Sequence, residues 1–205
     1  MTTFDWSARW TATWRALSAR PFDGEQEMLL QRYDAPARHY HTRQHLEECF
    51  VRWDQVRSRA AEPAAAEIAL WYHDAVYDTH RADNEAQSAD LAAVALTTAG
   101  VKAATVGRVQ ELIMATTHAA PPGSPDAALV VDVDLGILAA TAERFDEYEQ
   151  QVREEYAWVP GILFRKKRAD VLRGFLGRER IFSSGAFDAD EARARENLTR
   201  SLARL

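Results

Sequence analysis

Six histidines are spread over 205 residues, at 39, 41, 45, 73, 80 and 118, and four of them lie in two tight groups. His73 and Asp74 stand side by side at the end of the largely apolar run from Ala69 to Tyr72. An imidazole and a carboxylate in such a setting need partners, because burial penalises polar groups left unpaired. One divalent cation satisfies both, through a ring nitrogen and a carboxylate oxygen. His41 and His45 are four apart and share a helical face if the helix begins early enough. Both could bind one metal, or one could bind metal while the other points at substrate. A further carboxylate comes from Asp132 or Asp134 in Val131-Asp132-Val133-Asp134-Leu135. Two imidazoles and two carboxylates suit iron, manganese, zinc, nickel or cobalt, and less strongly magnesium. Water or a substrate oxygen would fill the remaining positions, which is where chemistry becomes possible.

The elements that must position these groups read as helix after helix. Trp6, Trp10 and Trp14, with Leu17, give one aromatic face, which suits either core or a dimer seam. Pro21 ends that helix, and Asp23 is the expected cap of a second one that stops before Pro36. Thr42 caps a third, reaching about Arg59, and Pro63 sits in the first turn of a fourth that carries His73 and Asp74 at its end. Asn84 reads as the next cap, for a helix from Glu85 to about Thr98. Another follows Gly100 and runs to about His118. The segment Ala120-Pro121-Pro122-Gly123-Ser124-Pro125 is a loop, too short to divide two cores. Leu129 to Leu138 fits strand or helix. Helix is the expectation, since a strand without a partner has nowhere to place its backbone hydrogen bonds. Further helices span about Ala142–Tyr156 and Pro160–Leu176, and the last begins near Asp188. The expected architecture is one all-α domain over 1–205, with terminal helices packing on a metal-binding core.

Composition narrows the function classes. Apolar residues are 47% and charged residues 27%, an ordinary globular balance, and a net charge of -6 argues against a broad nucleic-acid surface. The basic run Arg165-Lys166-Lys167-Arg168 then reads as a solvated helix face. No apolar stretch approaches the roughly 20 residues that span a bilayer, and the start lacks the regions of a secretory signal. The lone Cys49 has no thiol partner for a disulfide and no visible thiolate site around it. A cytoplasmic protein, with no membrane or nucleic-acid partner, is expected. The tryptophan face leaves a homodimer open.

The order of these residues resembles the HD superfamily of metal-dependent phosphohydrolases. It is similar above all to a subgroup of small predicted HD phosphohydrolases, over nearly the whole chain. The matching stretches are Arg38-His39-Tyr40-His41 with His45-Leu46, then Trp71-Tyr72-His73-Asp74-Ala75-Val76-Tyr77-Asp78, then Asn84-Glu85 with Ser88-Ala89. Thr117-His118 and Asp132-Val133-Asp134-Leu135-Gly136-Ile137-Leu138 follow, with Tyr148, Arg153-Glu154-Glu155-Tyr156, Glu191, Ala194-Arg195 and Asn197-Leu198. The resemblance implies a helical bundle holding one metal through His45, His73, Asp74 and Asp134. Tyr40-His41-Thr42-Arg43-Gln44-His45 also resembles a motif of cyclic nucleotide phosphodiesterases, which makes His41 the general acid toward the leaving oxygen.

The implied reaction is hydrolysis of a small phosphorylated metabolite or nucleotide. Asp74 or Glu85 would accept the proton from water. Arg38, Arg43, Arg153 and His118 are candidates for contact with the phosphate, since a guanidinium can present a fork to two oxygens. Asp78 and Glu85 are expected near the metal, and His39 and His80 are expected to be solvated or structural. Two rivals remain. An HD-type di-iron oxygenase would recruit Glu85 and His118 as further ligands, and a metal-binding sensor would bind a ligand without turning it over.

Overall fold

The computed structural model describes residues 4–205, and among them there are ten α-helices and no strand. These are α1 (Trp6–Ala16), α2 (Glu25–Tyr33), α3 (Arg43–Val56), α4 (Pro63–Tyr72), α5 (Asn84–Thr98), α6 (Ala103–Ala115), α7 (Pro125–Asp134), α8 (Ala142–Glu155), α9 (Gly161–Leu176) and α10 (Glu191–Leu202). Short 3-10 turns precede or follow several of them, including Leu135–Ala139 directly after α7. Among the described residues no helix is long and apolar enough to cross a membrane.

α4 explains the bundle. Every residue from Ala65 to Tyr72 is buried, so the helix is enclosed on all sides rather than amphipathic. It packs against α1, α3, α5, α6 and α7. Pro63 opens it at a position where a missing N–H costs nothing. The carboxylate of Asp126 caps its approach, accepting from the N–H groups of Ala61 and Glu62 at 2.9 Å each.

The tryptophan face of α1 is core. Trp10 and Trp14 are buried, and Trp6 and Trp10 meet Trp71 of α4 edge-on, with centroids 5.8 and 5.0 Å apart. Such pairs contribute beyond the area they bury. The stripe therefore packs largely into the chain's own core, with Trp6 and Leu17 partly buried against it.

Several local expectations shift. Gly24, in the left-handed region at φ 83°, precedes α2 in place of Asp23 as cap. Asp83 rather than Asn84 precedes α5, while Asn84 bridges back to the backbone of Asp78 with both ends of its amide. α6 stops at Ala115, short of His118, which takes φ 55°. The ambiguous stretch over Leu129–Leu138 is helical throughout, α7 followed by the 3-10 turn.

The loop between α9 and α10 is tied to the core by two acids. Asp132 accepts from the N–H groups of Ser183 and Ser184 at 2.9 and 2.8 Å. Glu191 accepts from those of Ile181 and Phe182 at 3.0 and 3.2 Å. Beneath this loop, Arg52 passes directly over Gly136. A Cβ built there would come within 2.5 Å of the arginine's Cδ. Arg52 cannot swing aside freely, because it pairs with Asp190 at 2.7 Å and lies 3.8 Å from the Phe187 ring centroid. Gly136→Val should therefore destabilise the fold by about 1–3 kcal/mol. Adding Arg52→Ala should recover part of that loss in chemical denaturation. An unaltered midpoint in the single variant would contradict the packing argument.

Candidate metal centre

The helices deliver four side chains to one point. His45 is the third residue of α3, one turn beyond its Thr42 cap, whose hydroxyl accepts from the Gln44 N–H at 3.3 Å. His73 ends α4, Asp74 follows it, and Asp134 is the last residue of α7. Two helix C-termini thus face the cluster with their negative dipole ends, which favours a cation there.

The separations are those of ligands around a single ion. His45 Nε2 and His73 Nε2 are 3.1 Å apart. Asp74 Oδ2 is 3.4 Å from the first and 3.1 Å from the second. Asp134 Oδ1 is 3.2 and 3.5 Å from them. Two atoms bonded at about 2.1 Å to one cation stand roughly 3.0 Å apart at a right angle and roughly 3.4 Å apart at the tetrahedral angle. The five separations, 3.1–3.5 Å, lie at or close to that interval.

Orientation agrees with distance. His73 Nδ1 lies 2.8 Å from the Leu70 carbonyl, so it carries the proton and donates. The Nε2 lone pair of a neutral His73 then points into the cluster, as in metal-bound histidines steadied by a backbone acceptor. Burial pushes the Asp74 carboxyl pKa up, but the His73 and His41 imidazoles outweigh it and hold it well below the usual range. Burial likewise opposes ionisation of Asp134, and its hydrogen bonds with His118, His45 and His73 reverse the balance. His73 shows the mirror image: burial opposes its charge, and Asp74 and Asp134 raise its pKa well above normal. A positive charge at the Nε2 apices, whether proton or divalent cation, is what this field stabilises.

A buried His45, Cys49, His73 and Asp134 group, with ligand atoms all within 4.8 Å of one another, could hold a metal ion. Cys49, expected to stand apart from any metal-ligating group, lies one turn along α3 from His45. Its Sγ is 3.8 Å from His45 Nδ1 and 3.7 Å from Nε2. A thiolate and an imidazole nitrogen on one tetrahedral ion stand roughly 3.6 Å apart, so Cys49 is placed to share a metal with His45. Asp74 Oδ2 also lies close to both Nε2 atoms.

Asp132 and Asp134 answer different needs. Two residues along a helix are 200° apart on its circumference, since each step turns about 100°. Asp132 faces the loop at Ser183, and only Asp134 faces the histidines. His118 Nε2 meets the outer oxygen of Asp134 at 3.1 Å, so it fixes the carboxylate's orientation from behind.

His41 lies before the Thr42 cap, outside α3, so the shared helical face with His45 does not exist. Its ring centroid is nevertheless 5.8 Å from that of His45, and it stacks on Tyr77 at 4.1 Å. Glu155, at the end of α8, holds it. One oxygen of Glu155 accepts from the backbone N–H groups of His39, Tyr40 and His41 at 2.8–3.0 Å. The other is 2.8 Å from His41 Nδ1 and 2.8 Å from the Tyr77 hydroxyl.

The Glu155 side chain is 0% exposed. Burial raises its pKa, yet the hydrogen bond and charge of His41 and the backbone donors hold it at about 2. A folded value below the unfolded one adds stability above about pH 4.5, and that stability is lost as pH falls toward 2. The loss should approach roughly 3 kcal/mol. Denaturant titrations at pH 5 and pH 2.5 should show a steeper fall for the native chain than for Glu155→Gln; parallel falls would refute it.

Three arginines expected at phosphate are engaged elsewhere. Arg38 is buried and donates to the carbonyls of His41, Asp74 and Ala75 at 3.0, 2.7 and 3.1 Å. Arg43 pairs with Asp34. Arg153 donates to the carbonyls of Tyr156 and Val159, the latter at 3.2 Å. These contacts anchor each of the three to the fold. Glu85, in the first turn of α5, lines the cleft described next and makes no ion pair among the described residues. Asp78 accepts from the His80 N–H at 2.9 Å, and His80 stacks on Trp158, as suits structural residues.

Two cavities reach the cluster. The larger, about 940 Å³, is lined by His41, Glu85, His118, Asp134, Tyr77 and Arg178 among others. The smaller, about 630 Å³, reaches His45 and Asp134 from the side of Cys49. Its arginines, Arg52 and Arg144, are neutralised by Asp190 and Glu48. Of the two, the larger also borders His41 and Glu85.

Compared with protein-family models, curated proteins and solved structures, the chain matches none. The helical architecture and the buried cluster are compatible with an HD-like domain.

Proposed function

We propose that the protein is a metal-dependent phosphohydrolase of the HD type, acting on a small phosphorylated molecule. The observation that carries this reading is the meeting of His45, His73, Asp74 and Asp134 at 3.1–3.5 Å beside a cleft that also contains His41. Manganese, iron, zinc, nickel or cobalt fits two imidazoles and two carboxylates, with magnesium the weaker match. Such an ion supplies Lewis acidity toward a phosphoryl oxygen and lowers the pKa of water.

The chain's own residues do the rest. His41, held at Nδ1 by Glu155, keeps Nε2 for a proton to be given to the departing oxygen. Glu85 or Asp74 accepts the proton of the attacking water. His118 steadies Asp134 and so keeps the fourth ligand in place. Among the described residues Glu85 makes no ion pair, and a single cation is the reading carried forward over the di-iron oxygenase.

The test is elemental analysis of protein purified without chelator, followed by a phosphorylated-metabolite screen with the metal found. Stoichiometric metal with hydrolysis of a phosphomonoester or nucleotide is expected. Absence of metal would end the proposal. Stoichiometric metal and tight ligand binding, with no turnover across the panel, would favour a sensor instead.

A further inference from the structure

The larger cleft contains a cation that the proposed chemistry does not use. Arg178 lies two residues past the end of α9 and lines the cavity. Its Nη2 donates to the His118 carbonyl at 3.1 Å, and its guanidinium lies 4.5 Å from the Phe175 ring centroid. The other two arginines of the cleft are neutralised, Arg168 by Glu149 and Arg81 by Asp83. Among the described residues Arg178 makes no ion pair. Burial pushes its pKa down, and no carboxylate offsets that shift. A partly desolvated cation without a counter-charge gains from an anion that completes it.

Its location is specific. His118, whose carbonyl it holds, adopts φ 55°, a region costly for a residue with a side chain. The imidazole of the same residue meets Asp134 at 3.1 Å. One strained residue therefore joins Arg178 at its backbone and the metal cluster at its ring. The Nε and Nη1 donors of Arg178 have no protein acceptor and remain available to a ligand in the cleft.

We infer that Arg178 is the anion anchor of this cleft, receiving on its unused guanidinium edge the phosphate of a small ligand whose adjoining part packs on Phe175. The inference rests on the phosphohydrolase reading for the identity of the anion. A guanidinium presents two parallel donors to phosphate oxygens, which an ammonium cannot.

The test is calorimetric titration of the protein, as purified with its metal, with inorganic phosphate. Arg178→Gln should weaken phosphate binding about 10- to 100-fold. Arg178→Lys should recover only part of the loss. Arg173→Gln, at an exposed arginine paired with Asp170, should change nothing. Far-UV circular dichroism checks folding. If Arg178→Gln unfolds, Arg178→Met keeps the stem over Phe175 and must show the same weakening. Unchanged phosphate affinity in the folded variants, or no saturable phosphate binding by the native chain, overturns the inference. Arg178-dependent phosphate binding without hydrolysis of any phosphomonoester would leave it standing and remove the phosphohydrolase reading. Hydrolysis with affinity and KM untouched in Arg178→Gln would do the opposite.

Discussion

His73→Ala loses its divalent metal and its hydrolytic activity together, with kcat/KM falling roughly a thousandfold or more. The expectation follows from the geometry of one nitrogen. His73 Nε2 is the vertex common to three short separations, to His45, Asp74 and Asp134. Its Nδ1 is committed to Leu70, so no tautomeric alternative exists. Alanine leaves two carboxylates and one imidazole around a gap where the common vertex stood. Asp74→Ala should behave alike. Metal content by plasma mass spectrometry, read beside a melting curve, separates ligand loss from unfolding. A folded His73→Ala protein with full metal and full activity would sink the metal-centre reading outright.

The second large effect concerns proton delivery. His41→Ala should keep most of the metal while kcat falls about 10²- to 10⁴-fold. Glu155 touches no cluster ligand and acts through His41 as a positioning residue. Glu155→Gln should lower kcat with KM little changed. The double variant should be no slower than His41→Ala alone, because two residues acting as one unit are not additive. Multiplicative losses would show that Glu155 serves the fold and not the imidazole. Steady-state kinetics on all three variants decides between these outcomes.

Much of this molecule was legible in its sequence, and the reasons differ by residue. The helical class was readable from periodicity, and the helix over Leu129–Leu138 from the lack of any partner for a strand. Once that segment is helical, Asp132 and Asp134 must diverge, a consequence that spacing alone already contained. The His73-Asp74 pair was conspicuous because it interrupts an apolar run, and the structure brings it to His45 and Asp134. What spacing could not convey was competition for donors. Arg38, Arg43 and Arg153 looked available for phosphate because their acceptors are carbonyls or distant acids that only the folded chain brings near. Glu155 stood within a matching stretch but carried no assigned role, because the backbone groups it accepts from lie 114–116 residues away. Arg178 had no motif at all. Its significance comes from what it lacks, a counter-charge, and such a lack is visible only in three dimensions.

The buried guanidinium of Arg38 has a mechanical consequence. It rivets the turn carrying His41 to the turn carrying Asp74, through three main-chain oxygens and no acidic side chain. The two turns are therefore held in fixed register by the fold itself. A shorter or single-pronged side chain at that position cannot replace the rivet, because three oxygens on two separate turns would be left competing for one hydrogen-bonding group.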